Sequence, residues 1–174
     1  MKIAVLGYSG SGKSTLARAL GRRYGVNVLH LDAVQFLPGW QIRPAEEQLA
    51  LTKTFMDENG GWIIDGNYSN LLQHRRLAEA DEIVLLLFSR WACLGRVRRR
   101  YRKHAGRTRP DMTEGCPEKL DREFLVWILW RGRTPRRRRR WREILSEYGH
   151  KTTVLKNQRQ LDLYYKEKGL APPG

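Results

Sequence analysis

The chain has little acid, little cysteine and no long apolar run. Two cysteines in 174 residues, Cys93 and Cys116, cannot make a disulfide framework, so a reduced, cytoplasmic protein is the simplest expectation. The longest uninterrupted apolar run is the seven residues Phe124 to Trp130. A membrane helix needs about 20, so no membrane partner is expected. The first expected strand begins at residue 2, which leaves no room ahead of it for a signal peptide. No internal repeat and no linker divides the sequence, so one domain over residues 1–174 is expected, as a monomer or homodimer. Hydrophobic residues make up 41%, which excludes a disordered composition. Acidic residues number 18 against 33 Lys and Arg, for a net charge of +15. The imbalance is local. Residues 90–142 hold 19 basic and 5 acidic side chains, and the rest of the chain holds 14 and 13. A block of that sign wants anions, either the phosphates of a nucleotide or the backbone of a nucleic acid.

What is present begins with Gly7-Tyr8-Ser9-Gly10-Ser11-Gly12-Lys13-Ser14-Thr15. The spacing is that of a P-loop. Its glycines let the main chain turn sharply and approach a ligand, and its successive N–H groups form an anion nest. The following helix adds a partly positive N-terminus. Residues 7–15 are therefore the candidate phosphate cradle, with Lys13 reaching the outer phosphates and the Ser14 hydroxyl ligating Mg²⁺. Context agrees. Lys2 to Leu6 reads as a buried strand, and Leu16, Leu20 and Tyr24 lie on one helical face.

Further strands are expected at 26–31, 62–65, 82–88 and 152–155. The second ends at Asp32, and a carboxylate leaving the carboxyl end of a strand beside a P-loop strand lies near the phosphates. The third ends at Asp65, the first polar residue after an apolar run, which suits a carboxylate that accepts from Mg²⁺-bound water or the P-loop hydroxyl. Between them, Phe36 and Trp40 flank a Pro-Gly turn and either line a pocket or form a small core beneath the loop. Helices are expected after Pro44, with Leu49, Leu51, Phe55 and Met56 inward, and over 69–80, with His74-Arg75-Arg76 on a solvated face. Beyond Arg90 the pattern predicts a helix with an apolar stripe at Trp91, Leu94, Val97 and Tyr101, then a turn-rich loop carrying Arg107 and Arg109. A helix restarting at Cys116, a short one around Trp141 and a last one over 161–168 follow.

Gly7 to Thr15 with Ile63-Ile64-Asp65-Gly66 resembles the adenylate-kinase-like branch of P-loop kinases. Leu31-Asp32 with Pro38-Gly39-Trp40, Asp65-Gly66-Asn67-Tyr68, and Arg107-Thr108-Arg109-Pro110-Asp111-Met112 with Glu114 to Lys119 resemble its topology modulation protein FlaR group. The match runs from residue 1 to about residue 142. It implies a three-layer α/β P-loop NTPase fold: a five-stranded parallel sheet in the order 2-3-1-4-5, helices on both faces, and a basic helical lid over about residues 96–140. It implies ATP and Mg²⁺ at the P-loop, with Arg107 and Arg109 closing over the phosphates. Asn67-Tyr68 stands where adenylate kinase has Phe-Pro-Arg, which counts against AMP as acceptor.

The expected activity is phosphoryl transfer from ATP to a small acceptor: a nucleotide, a nucleoside or a small alcohol. Lys13, Asp32, Arg107 and Arg109 are the candidate catalytic residues, and Ser14 and Asp65 the candidate metal ligands. Asp32 takes the proton of an alcohol acceptor; for a phosphate acceptor it is a substrate or metal-shell residue. The alternative is a nucleotide-regulated nucleic-acid-binding protein acting through residues 90–142.

Overall fold

Strict alternation of buried side chains builds the sheet. In the computed structural model, which describes residues 1–104, 106, 108, 111–118 and 120–172, strand β1 (Lys2–Gly7) sends Ile3 and Val5 to one face and Ala4 and Leu6 to the other. It is flanked by β2 (Asn27–His30), β3 (Trp62–Asp65), β4 (Glu82–Leu86) and β5 (Thr152–Leu155). All pairings are parallel, and the order is β2-β3-β1-β4-β5, the expected one. Such a sheet must be covered on both faces. Helices α1 (Lys13–Tyr24), α5 (Arg90–His104), α6 (Arg122–Leu129) and α8 (Gln158–Glu167) pack with Ile3, Val5, Val84 and Leu86. On the other face α2 (Leu31–Gln35), α3 (Ala45–Glu58), α4 (Gln73–Glu79) and α7 (Pro135–Tyr148) pack with Ala4, Leu6, Ile64 and Leu85. The fold is the three-layer α/β P-loop fold. Among the described residues no helix is long and apolar enough to cross a membrane.

Several local expectations are corrected. In α3 the buried side chains are Gln48, Thr52 and Met56, while Leu49 and Leu51 are exposed. The polar pair can be buried because Gln48 donates to Arg43 O and Thr52 to Gln48 O. No helix begins at Cys116; Pro117 bridges back to Thr108, and α6 starts six residues later, where the Asp121 carboxylate accepts from Phe124 N. The short helix expected around Trp141 is α7, fourteen residues long and capped by Thr134.

The helix expected over 69–80 begins only at Gln73, after Leu72 in the left-handed region with φ 51°. Arg76 is the reason. It is not on a solvated face but fully buried, and its guanidinium donates to Leu71 O, Gly66 O and Tyr68 O. Those carbonyls belong to a loop instead of a helix because Arg76 satisfies them. Burial, and then the charge of Arg140, pull its pKa down to about 10, so it still carries its charge at neutral pH.

Replacing Arg76 by Ala would leave three carbonyls unpaired and open a void. We expect Arg76→Ala to lower unfolding stability by about 3 kcal/mol or more. Its half-buried neighbour Arg75, paired near the surface with Asp57 and Glu79, should tolerate Ala with little change. Urea unfolding of both variants decides; equal losses would refute the assignment.

Candidate active site

The site grows from the end of β1. Gly7 has φ +141°, and a Cβ there would lie 2.3 Å from Leu86 O, so the turn out of the sheet requires glycine. Tyr8 N donates to Leu86 O, and Ser11 N closes the loop onto Tyr8 O. Gly12, in the left-handed region with φ 99°, precedes α1. The first turn of α1 carries Lys13, Ser14 and Thr15, all half-buried, and no side chain caps it. Its first N–H groups stay free to bind an anion. Lys13 Nζ reaches back to Tyr8 O at 3.3 Å, and its ammonium therefore lies at the loop mouth.

The loop is braced from outside. Arg96 donates to Ser11 O and to the Gln158 side chain, and its guanidinium lies over the Phe88 ring. It sits so close to Gly12 that a Cβ there would meet it at 2.7 Å. Burial lowers its pKa. Trp127 Nε1 donates to Ser9 Oγ, and the Arg133 guanidinium stacks on Tyr8 at 3.8 Å. Gly10 packs against Cys93 and Val97 of α5.

Asn67 clamps the loop from β3. Its Nδ2 donates to Gly7 O at 2.7 Å, and its Oδ1 accepts from Gly7 N at 3.1 Å. Arg140 in turn donates to Asn67 O and to Gln73. Burial and the nearby charge of Arg137 lower the Arg140 pKa.

The two predicted carboxylates occupy different environments. Asp65 is buried, registers beside Val5 and His30, and binds His30 Nδ1 through Oδ2 at 3.1 Å. Its Oδ1 is buried with no partner, as is Ser11 Oγ. An orphaned carboxylate oxygen here suits a cation or its bound water. Among the described residues no cluster of three or more His, Cys, Asp or Glu could hold a metal by itself. Asp32 is exposed on α2, and Tyr68 donates to its Oδ1 at 2.6 Å. Burial, then the Asp32 carboxylate, push the Tyr68 pKa well up, so the phenol stays protonated. Phe36 and Trp40 pack edge to face at 5.2 Å on a two-residue ribbon formed by Phe36–Leu37 and Gln41–Ile42. Arg107 and Arg109 lie outside the described residues.

Sequence reasoning gave no role to Asn67, Arg96, Arg133 or Arg137. One signal was available: positions 133, 137, 141, 144 and 148 recur at helical spacing, and the last three are buried.

No protein-family model matches the chain, and no curated protein matches it in sequence. Solved structures do resemble it. An uncharacterized protein from Eubacterium ventriosum ATCC 27560 is 12% identical with a TM-score of 0.47, the match covering 97% of this chain and 99% of that one. Shikimate kinase from Bacteroides thetaiotaomicron is 16% identical with a TM-score of 0.49, covering 96% and 95%. TT1252 from Thermus thermophilus is 20% identical with a TM-score of 0.50, again covering 96% and 95%, and the likeness is one of fold.

Proposed function

We propose that the chain transfers a phosphoryl group from ATP to a small acceptor. The observation that carries this reading is the uncapped first turn of α1 behind a glycine turn, with the Lys13 ammonium at its mouth. The motif resemblance to the adenylate-kinase-like branch, and within it to the topology modulation protein FlaR group, supports the same reading.

The residues take these roles. The N–H groups that residues 7–15 leave free, those of the first turn of α1 above all, and Lys13 hold the donor's phosphates. Ser14 and Asp65 Oδ1 hold Mg²⁺, which when bound offsets phosphate charge. His30 fixes the other Asp65 oxygen and thereby the carboxylate's orientation. Transfer breaks the terminal P–O bond of ATP and forms a P–O bond to the acceptor. The proton of an alcohol acceptor passes to Asp32, whose other oxygen is held by Tyr68. For a phosphate acceptor no base is required. Arg107 and Arg109 close over the phosphates as the lid's arginines. The 1–174 chain acts as one kinase-like unit.

A second reading is nucleic-acid binding through the basic block. Arg136, Arg138 and Arg139 are exposed on α7, and this outward row favours it. DNA binding that weakens with salt, survives Lys13→Ala and comes without ATP turnover would establish it in place of the kinase.

Lys13→Ala should abolish ATP turnover, by about 10³-fold or more, with an unchanged melting temperature, since the ammonium makes one long hydrogen bond at a loop mouth. Wild-type turnover in the folded variant would remove the kinase reading. Asp65→Asn should weaken nucleotide affinity in the presence of Mg²⁺ and leave metal-free affinity near wild type. Calorimetric titration with ADP, with and without Mg²⁺, tests this; equal losses would make Asp65 a structural partner of His30 alone.

A further inference from the structure

Helix geometry divides the five consecutive arginines Arg136 to Arg140. Arg136, Arg138 and Arg139 face solvent, while Arg137 and Arg140 are half-buried. Arg133, Arg137 and Trp141 follow one another at four-residue spacing beside the mouth of the P-loop. Arg133 is fully engaged, donating to Ile128 O, Phe88 O and Cys93 Sγ. Arg140 is bound to Asn67 O and Gln73. Arg137 differs. Its guanidinium is held over the Trp127 ring at 4.4 Å, yet it makes no hydrogen bond or ion pair among the described residues.

Arg137 lines a cavity of about 20 Å³ together with Tyr8, Ser9, Asn67, Trp127 and Trp141. The Asn67 amide is taken up by Gly7. Ser9 Oγ accepts from Trp127, which leaves its own hydrogen to donate. Trp141 is only 6% exposed, and its Nε1 is buried with no partner. The groups left unpaired in this wall are thus an arginine, an indole N–H, the Ser9 hydroxyl hydrogen and the Tyr8 hydroxyl. Guanidinium and indole donate and never accept. A site with spare donors and a full positive charge is complementary to an oxyanion. A cavity of that volume admits about one water-sized group. It takes the terminal oxygens of a ligand and excludes a ring.

We propose that this cavity is an oxyanion subsite for the phosphoryl acceptor, in which Arg137 and Trp141 Nε1 hold a carboxylate or phosphate that the acceptor carries. The assignment to the acceptor rests on the phosphotransferase reading, because the loop amides and Lys13 already serve the donor's phosphates. It makes the acceptor a small anionic molecule in preference to a neutral alcohol.

The test is direct binding, independent of turnover. Six tryptophans give six indole N–H resonances in a ¹⁵N-labelled protein, and Trp127→Phe and Trp141→Phe assign the two at the cavity. With the P-loop first saturated by MgADP, inorganic phosphate and acetate are titrated separately. The Trp127 and Trp141 signals should move and saturate with at least one probe. Saturation by phosphate alone assigns a phosphate-bearing acceptor, and saturation by acetate a carboxylate-bearing one. Affinity should fall about tenfold or more in Arg137→Ala, as expected for loss of a charge-assisted bond. Trp141→Phe keeps the ring against Tyr8 and should weaken binding too, read from Trp127. Signals that ignore both probes, or that move equally in Arg137→Ala, would overturn the proposal. MgADP binding is read separately from the Gly10 and Gly12 amides, so failure of the phosphotransferase reading shows there and not at the indoles.

Discussion

The two hydrogen bonds between the Asn67 amide and Gly7 are the constraint on which the site depends. Gly7 is where β1 ends and the P-loop begins, and its backbone has no freedom left: Leu86 O crowds one side and Asn67 grips the other. The direction in which the loop leaves the sheet is therefore set from β3, sixty residues away. Asn67 is itself held by its own loop, and that loop is held by Arg76 from below and Arg140 from above. A buried guanidinium thus acts at a distance on the glycine loop. It keeps Gly66 and Tyr68 in place, and the residue between them keeps Gly7 in place.

The basic block looks different in this light. A net +14 over residues 90–142 suggests an external anion, yet part of it is internal wiring. Arg96, Arg133 and Arg140 each donate to backbone carbonyls and to a side chain, and Arg96, Arg133 and Arg137 lie on aromatic rings. Arg100 pairs with buried Glu118. Arginine suits this work because its flat, five-donor head can satisfy several carbonyls and still stack on an aromatic face. Among the described residues the outward set is the larger one and is left to attract a polyanion, while the half-buried set, Arg96, Arg133, Arg137 and Arg140 among it, gathers around the P-loop.

The fold was legible because its cues are local. Apolar runs with β-branched residues, separated by helical stripes and opened by a glycine loop, specify parallel strands and the cradle between β1 and α1. Asp65 could be found for the same reason, as the first polar residue after a buried run. The missed features depend on tertiary geometry. Nothing in His74-Arg75-Arg76 says that the third residue is buried and the first two are not, because the carbonyls it serves lie in a loop that forms only around it. Nothing in Gly66-Asn67-Tyr68 says that Asn67 reaches Gly7. In α3 apolar spacing misled, since Gln48 and Thr52 satisfy their polar groups on neighbouring backbone and take the inward positions.

The two sides of the site also share one cover. The segment 111–118 is anchored to the P-loop side through Arg18 and Asp111, and through Arg100 and Glu118. Its other edge is anchored to α2 and the loop after it: Thr113 Oγ1 lies against Ala33 O and Phe36 O, Cys116 Sγ against Leu37 O, and Gly39 N donates to Gly115 O. That loop follows directly on α2, which carries Asp32. A lid that touched only the phosphates could close on the donor and leave the acceptor loop open to water. Here the contacts run across from α1 and α5 to residues 33–39, so displacing either edge disturbs the other. For the phosphotransferase proposed above, exclusion of water from the donor side and ordering of the acceptor side would then be one event, which phosphoryl transfer needs if water is not to take the acceptor's place.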